Sequence, residues 1–234
     1  GMFVAREYVP GRDWQEVQGH ARERGIAIPP SLQLYVAREA ARALSVLGVL
    51  YRMDRGLHGH GAVCAANLLC GWDGSVKLAD RDLTQLFSAI DERPPLGRLQ
   101  PPGPNPQTQS PRDDLAAIAT LLREGGPPLT AALSSSLQTL LTRLQTPAPA
   151  GSGETAEELR QALGRELLRL APDADGGELG RLLHTLYGEQ ADSELYEAER
   201  WQDAVRRTAS RTASGRPRIP TLVPARVTPT HAPS

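Results

Sequence analysis

The longest regular pattern of apolar residues lies between residues 30 and 50. Six of them recur at spacings of four, four, three, four and three: Leu32, Val36, Ala40, Ala43, Leu47 and Leu50. Side chains at these intervals share one face of an α-helix. The pattern therefore predicts a long helix that begins at Pro29-Pro30-Ser31 and ends before Gly56 and Gly59.

Helical patterns recur along the chain, and two of them start at capping signals. Asp13 is a predicted N-cap for a helix over residues 14–23, and Thr155 with Glu158 forms the capping-box pattern before another. Charged residues of the last pattern, such as Glu194, indicate a face turned to solvent. Further helices are predicted over 112–124, 128–145, 177–188 and 191–205.

Short apolar segments predict a small β region. Residues 3–9 predict one strand, which the turn pair Pro10-Gly11 would end. Residues 67–70 and 75–80 predict a hairpin around Trp72-Asp73-Gly74, because Asp-Gly is a strong hairpin signal. The predicted fold is therefore mainly α with a small β hairpin.

Composition narrows the classes of function. The chain has 234 residues and a formal net charge of -1, so no overall charge draws it to nucleic acid or to acidic lipid. No apolar stretch has the length of a membrane span, and the two cysteines are too few for a disulfide framework. We expect a cytoplasmic protein without nucleic-acid or membrane partners.

The basic residues are almost all arginine. Lys77 is the one lysine, and the other 25 of the 26 basic residues are arginine. Arginine does not lose its proton at physiological pH, so it cannot replace a lysine that has to lose its proton in a mechanism. Any mechanism that needs two lysines is therefore excluded.

The last residues differ in composition from the rest. From Arg206 onward Arg, Thr, Ser and Pro dominate, which predicts a disordered basic tail over 206–234. Arg-Thr-Ala-Ser occurs twice there and places an arginine three residues before Ser210 and Ser214. These serines are candidate phosphoacceptors for kinases that prefer basic substrates; the alternative is a solvated linker. Residues 166–205 are predicted as a helical extension, either an interaction module or a cap on the preceding domain.

The order of these elements resembles the C-terminal lobe of protein kinases, and bacterial serine/threonine kinases most of all. Residues 7–11, Glu-Tyr-Val-Pro-Gly, look like the hinge that binds adenine. Residues 71–80 look like the hairpin that leads to the metal-binding D-F-G motif, and Arg112-Asp113-Asp114-Leu115 resembles the start of the helix that anchors the lobe. The resemblance covers about residues 3–165, so a kinase-like lobe is predicted over 1–165. It implies that Glu7, Val9 and Asp13 are remnants of a nucleotide site.

The segment that aligns with the catalytic loop H-R-D-L-x-x-x-N lacks the groups that do the chemistry. It runs from His60 to Asn67, and the aspartate that accepts the substrate proton is replaced by Ala62. A methyl group cannot accept a proton. The family's arginine is Gly61, and a lysine common two positions after the aspartate is Cys64, for which a reactive thiol is a second interpretation.

Two metal-binding positions of the family are retained. Asn67 and Asp80 are 13 residues apart, as the resemblance requires, and could hold a magnesium ion or only bond the loop. The two residues after Asp80 are Arg81 and Asp82 instead of Phe-Gly. The resemblance also implies that His60 and Asp114 are structural, since their counterparts are bonded to each other.

Further parts of the family pattern are absent. The A-P-E motif aligns with residues 103–105, Gly-Pro-Asn, and its arginine partner falls within residues 151–153, Gly-Ser-Gly. No glycine-rich loop, strand lysine or partner helix precedes the hinge-like segment, so the small N-terminal lobe is predicted to be absent.

The prediction is thus a catalytically inactive kinase-like protein, a pseudokinase, that binds ATP and magnesium weakly or not at all. It would act as a scaffold or regulator through an apolar surface that a small lobe would otherwise cover: Val9, Leu68, Leu69 and Leu78. A second copy, another kinase or a separate small-lobe chain would cover that surface. Two alternatives stay open, a serine/threonine kinase of which this chain is a part, and a module that senses nucleotide without transfer.

Overall fold

The computed structural model describes residues 7–53, 59–80, 110–125, 127–146 and 154–213. These residues form eight helices and a three-stranded antiparallel sheet, which confirms the predicted mainly helical fold with a small β region. The strands are β1 (Gly11–Asp13), β2 (Leu68–Gly71) and β3 (Val76–Leu78). The helices are α1 (Trp14–Glu23), α2 (Pro30–Met53), α3 (Pro111–Glu124), α4 (Pro127–Ala132), α5 (Ser135–Gln145), α6 (Ala156–Leu170), α7 (Gly176–Tyr187) and α8 (Glu189–Ala213).

The first described strand lies further along the chain than the strand predicted over residues 3–9. Residues 7–9 are irregular, residues 3–6 lie outside the described residues, and β1 begins at Gly11, where a turn was predicted. Gly11 pairs with Gly71, and a side chain there would place its Cβ 2.0 Å from the carbonyl oxygen of Cys70. Only glycine fits this close approach, so Pro10-Gly11 starts the strand instead of ending it.

Helix α2 forms the centre of the core. Its predicted face is confirmed at Leu32, Val36 and Ala40, and Leu44 continues it in place of the half-buried Ala43. Among the described elements α2 packs most extensively against α6, which buries Leu159, Leu163 and Leu167. The core is therefore largely aliphatic, as the 4% content of aromatic residues requires.

The single helix predicted over 128–145 is two helices, α4 and α5. The break falls at Ser134, whose hydroxyl caps α5 by accepting from the amide of Leu137. Its own amide and hydroxyl donate to the buried carboxylate of Glu166 on α6, at 2.8 and 2.5 Å. This tertiary contact stabilises the break, which a pattern of local periodicity does not report.

The C-terminal part is more helical than predicted. The boundary expected at residue 165 lies inside α6, and α8 continues to Ala213, past Arg206, where the predicted tail begins. Alanine and arginine have high helix propensity, which explains the extra turns.

Contacts group the chain into two compact units, Gly1–Leu195 and Tyr196–Ser234. Residues 214–234 lie outside the described residues, and no described helix has the length and apolar character of a membrane span.

Candidate functional site

A cleft of about 520 Å³ lies beside β1 and the start of α1. It brings together all three residues predicted as remnants of a nucleotide site, Glu7, Val9 and Asp13. The other lining residues are Tyr8, Gly11, Arg12, Glu16 and Leu69. The cleft is therefore the place at which the predicted hinge-like residues and the hairpin meet.

Pairing of β1 with β2 positions the cleft, because it sets Asp13 opposite Leu69. The Asp13 side chain is only 6% exposed and accepts from the amide of Glu16 at 2.8 Å, which confirms it as the N-cap of α1. Its carboxylate thus stabilises the helix terminus at the edge of the cleft.

Arg12, which lines the cleft, and Lys77, which contacts the lining residue Glu7, are already paired with carboxylates. Lys77 contacts Glu7 at 2.5 Å, and the Arg12 guanidinium makes two bonds to Glu194, at 2.9 and 2.5 Å. The hydrogen bond to Glu194 raises the pKa of Arg12 despite the opposing effect of burial. With Glu7, Asp13 and Glu16 along its wall, the cleft favours a neutral or cationic group over a polyphosphate.

Arg12 is also held by aromatic rings, a contact that sequence reasoning missed. Its guanidinium carbon lies 5.0 Å from the centroid of Trp72 and 5.5 Å from that of Tyr187. The Tyr187 ring stacks on the His20 ring, with the ring centroids 4.8 Å apart, and burial raises the pKa of Tyr187 to about 12. Glu194, which was predicted to lie on a mostly solvated face, is 24% exposed and forms this ion pair. The cation–π contacts and the ion pair join the end of α7 and the start of α8 to the sheet.

The loop before β2 is held by a buried carboxylate. Asp114, on the first turn of α3, is 4% exposed and accepts from the backbone amides of His60 at 2.5 Å and Gly61 at 2.9 Å. A Cβ on Gly59 would lie 2.6 Å from an Asp114 oxygen. His60 is itself only 2% exposed. The structure thus brings His60 and Asp114 together, through the backbone amide of His60.

The two predicted metal ligands are brought to the same end of the hairpin. The Asn67 side-chain amide donates to the carbonyl of Ala62 at 2.8 Å, and the Asn67 carbonyl accepts from the amide of Ala79, next to Asp80, also at 2.8 Å. Asp80 has a φ of 64°, which non-glycine residues rarely adopt and which recurs at functional sites. Asn67 therefore makes hydrogen bonds within the loop, which was one of the two roles predicted for it.

One amide and one carboxylate are a small set of ligands for magnesium, which takes six oxygen ligands. Among the described residues no three His, Cys, Asp or Glu side chains come together as a possible metal centre. Water and a nucleotide phosphate would have to supply the other ligands. Arg81 and Asp82, as well as the segments at 103–105 and 151–153, lie outside the described residues.

At the three positions predicted to align with the catalytic loop, no side chain accepts a proton at neutral pH. Ala62 offers a methyl group, Gly61 has no side chain, and Cys64 is 8% exposed. Burial raises the pKa of the Cys64 thiol, and the carboxylates of Asp13 and Asp80 raise it further. The thiol is protonated and a weak nucleophile, which argues against the reactive-cysteine interpretation.

The apolar surface is smaller than predicted. Leu68 is 1% exposed and belongs to the core, because successive side chains of β2 point to opposite faces of the sheet. Val9, Leu69 and Leu78 are partly exposed, and Tyr8 is 66% exposed beside them. Of the candidate phosphoacceptors, Ser210 lies in the last turns of α8 and Ser214 lies outside the described residues.

No protein-family model matches this sequence, and no curated protein is similar enough to it to count as a relative.

Proposed function

We propose that this chain is a protein-kinase-like C-terminal lobe that does not transfer phosphate and regulates another protein by binding it. One observation carries the proposal. Ala62 takes the place of a catalytic aspartate in a loop that Asp114 and Asn67 still hold by hydrogen bonds. Loss of the reacting group within a maintained loop is the arrangement expected of a pseudokinase.

The chemistry of the loop supports the absence of transfer. Phosphoryl transfer depends on a positioned base and on cations that stabilise the charge of the transferred group. Position 62 has no acceptor side chain, while Lys77 and Arg12 are engaged by Glu7 and Glu194. Each missing part costs orders of magnitude in rate, so the combination leaves no efficient enzyme.

The test is incorporation of radiolabelled phosphate from ATP and magnesium, with an active protein kinase as the positive control. We expect no labelling of the chain or of a generic protein substrate above background. Ala62→Asp should stay inactive, because it restores the base without the cations. Labelling by the wild-type chain that Asp80→Ala abolishes would show that the proposal is wrong.

The partly exposed Val9, Leu69 and Leu78 support a protein partner, for which another kinase or a second copy is the proposed class. A photocrosslinking residue at Tyr8 tests this surface in cells that express the chain. Glu23, whose side chain is 77% exposed and does not line the cleft, is the matched control position. We expect a protein adduct from position 8 only; equal labelling from both positions, or none, would contradict this surface.

The cleft itself favours a second candidate, a module that senses nucleotide without transfer. Its volume of about 520 Å³ suits a small ligand, but its acidic wall disfavours a triphosphate. In a thermal-shift titration we expect adenosine to raise the melting temperature at least as much as ATP does. A chain that no adenine compound stabilises at millimolar concentration is no nucleotide sensor, since binding to the native state must stabilise it.

A further inference from the structure

The second compact unit carries a large aromatic side chain on its surface. Trp201 in α8 is 72% exposed, whereas the other two tryptophans, Trp14 and Trp72, are 3% and 2% exposed. Val205, one turn further along, is 65% exposed. Tryptophan is rarely left in water and is enriched at the centres of protein interfaces.

The residues around Trp201 form one stripe along the helix, which we call the Trp201 stripe. They line a shallow groove of about 410 Å³: Glu197, Arg200, Trp201, Ala204 and Arg207. Their spacings of three, one, three and three residues keep them on one helical face. Apart from the half-buried Ala204 they are exposed. The stripe therefore has an acid at one end, an arginine at the other and tryptophan between them.

This order of charges is self-complementary in one orientation only. When two copies of the stripe run antiparallel, Glu197 lies opposite the partner's Arg207, and Arg200 lies opposite the partner's Ala204. The two Trp201 side chains then meet near the twofold axis, where the small Ala204 leaves room for close approach. A parallel pair would place Glu197 on the partner's Glu197, and Arg207 on the partner's Arg207.

We propose that two copies of this chain associate through the Trp201 stripe as an antiparallel, twofold-symmetric helix pair. A twofold-symmetric interface uses the same patch of both copies, so the two stripes together form two ion pairs around one aromatic centre. The eleven residues from Glu197 to Arg207 cover about 15 Å of helix, which places the contact at the small, reversible end of protein interfaces. The proposal does not depend on the kinase-like interpretation of the first unit.

Sedimentation of the full chain over a concentration series tests the proposal. We expect a monomer–dimer equilibrium, with dimer prominent at about 100 µM, as suits a contact of this size. The fluorescence maximum should shift to the blue as concentration rises, since Trp201 is the exposed tryptophan. Trp201→Ala should remove both effects. A wild-type chain that stays monomeric at this concentration would overturn the proposal and indicate that a different protein binds the Trp201 stripe.

Charge reversal tests the antiparallel orientation. Glu197→Arg and Arg207→Glu should each weaken dimerisation about tenfold or more, because each creates two like-charge contacts. An equimolar mixture of these two variants should form a heterodimer at least as tight as the wild-type dimer, since both contacts become attractive again. Failure of the mixture to associate would overturn the antiparallel pairing.

The control variants lie on the opposite face of the same helix. Glu199→Arg and Arg206→Glu change charge by the same amounts, but these side chains are about half a turn away from the stripe. We expect both to dimerise like the wild type, with unchanged circular dichroism for all variants. Equal loss of dimer in the controls would attribute the association to net charge and would contradict the proposed interface.

Discussion

The Asp114 carboxylate has one oxygen atom on the amide of His60 and the other on the amide of Gly61. Asp114→Asn replaces one acceptor with an NH₂ group that faces an N–H donor. We expect the free energy of unfolding to fall by about 1–3 kcal/mol, the cost of leaving a buried donor unsatisfied. Urea denaturation measures it, and the exposed neighbour Asp113→Asn is the control, from which we expect a smaller loss. Equal losses would contradict the loop-holding role of Asp114.

Single residues were predictable where their role is local. The N-caps at Asp13 and Thr155 were predictable because each cap side chain accepts a hydrogen bond from the backbone amide three residues further along. Both caps are confirmed. Leu68 was misassigned because the apolar run from 68 to 70 does not show which side chains face the core. The strand pairing that decides it joins distant parts of the chain.

Among the elements, the junction of α4, α5 and α6 depends on the Glu166 carboxylate. Burial pushes the pKa of Glu166 upward, but hydrogen bonds from Arg169 and Ser134 outweigh burial and lower it below its ordinary value. A lowered folded-state pKa contributes stability that is present above the unfolded-state pKa and is lost as pH falls through the folded-state value. The wild type should therefore lose stability relative to Glu166→Gln below about pH 4.3, the ordinary glutamate value.

Denaturation of both proteins from pH 7 to pH 3 measures this difference. Glu178→Gln, at the partly exposed start of α7, is the control and should track the wild type more closely. A constant difference between wild type and Glu166→Gln across this range would contradict the role of the ionised carboxylate. The example also shows why the break at Ser134 escaped prediction, since Glu166 is 32 residues away in the sequence.

At the scale of the first compact unit, Arg12 links the sheet to the end of α7 and the start of α8. Its partner Glu194 is 182 residues away, so no local pattern could have predicted the contact. Helix positions, by contrast, were predictable almost throughout, because amphipathic periodicity and caps are local. Sequence therefore anticipated the helices and the hairpin, but not how residues 176–195 close on them.

Arg12→Ala and Glu194→Ala provide the test of this link. Both side chains are mostly buried, at 18% and 24% exposure, and their two parallel hydrogen bonds are charge-assisted. We expect each substitution to lower the free energy of unfolding by about 1.5–3 kcal/mol. The double variant should lose less than the sum of the two single losses, with a coupling of about 0.5–3 kcal/mol.

The matched control is the pair Arg42→Ala and Glu39→Ala, in which the Arg42 side chain is 69% exposed. This pair should couple by less than about 1 kcal/mol. Additive losses for Arg12 and Glu194 would mean that the ion pair does not hold residues 176–195 to the sheet, and the stacking of Arg12 on Trp72 and Tyr187 would then have to account for the contact.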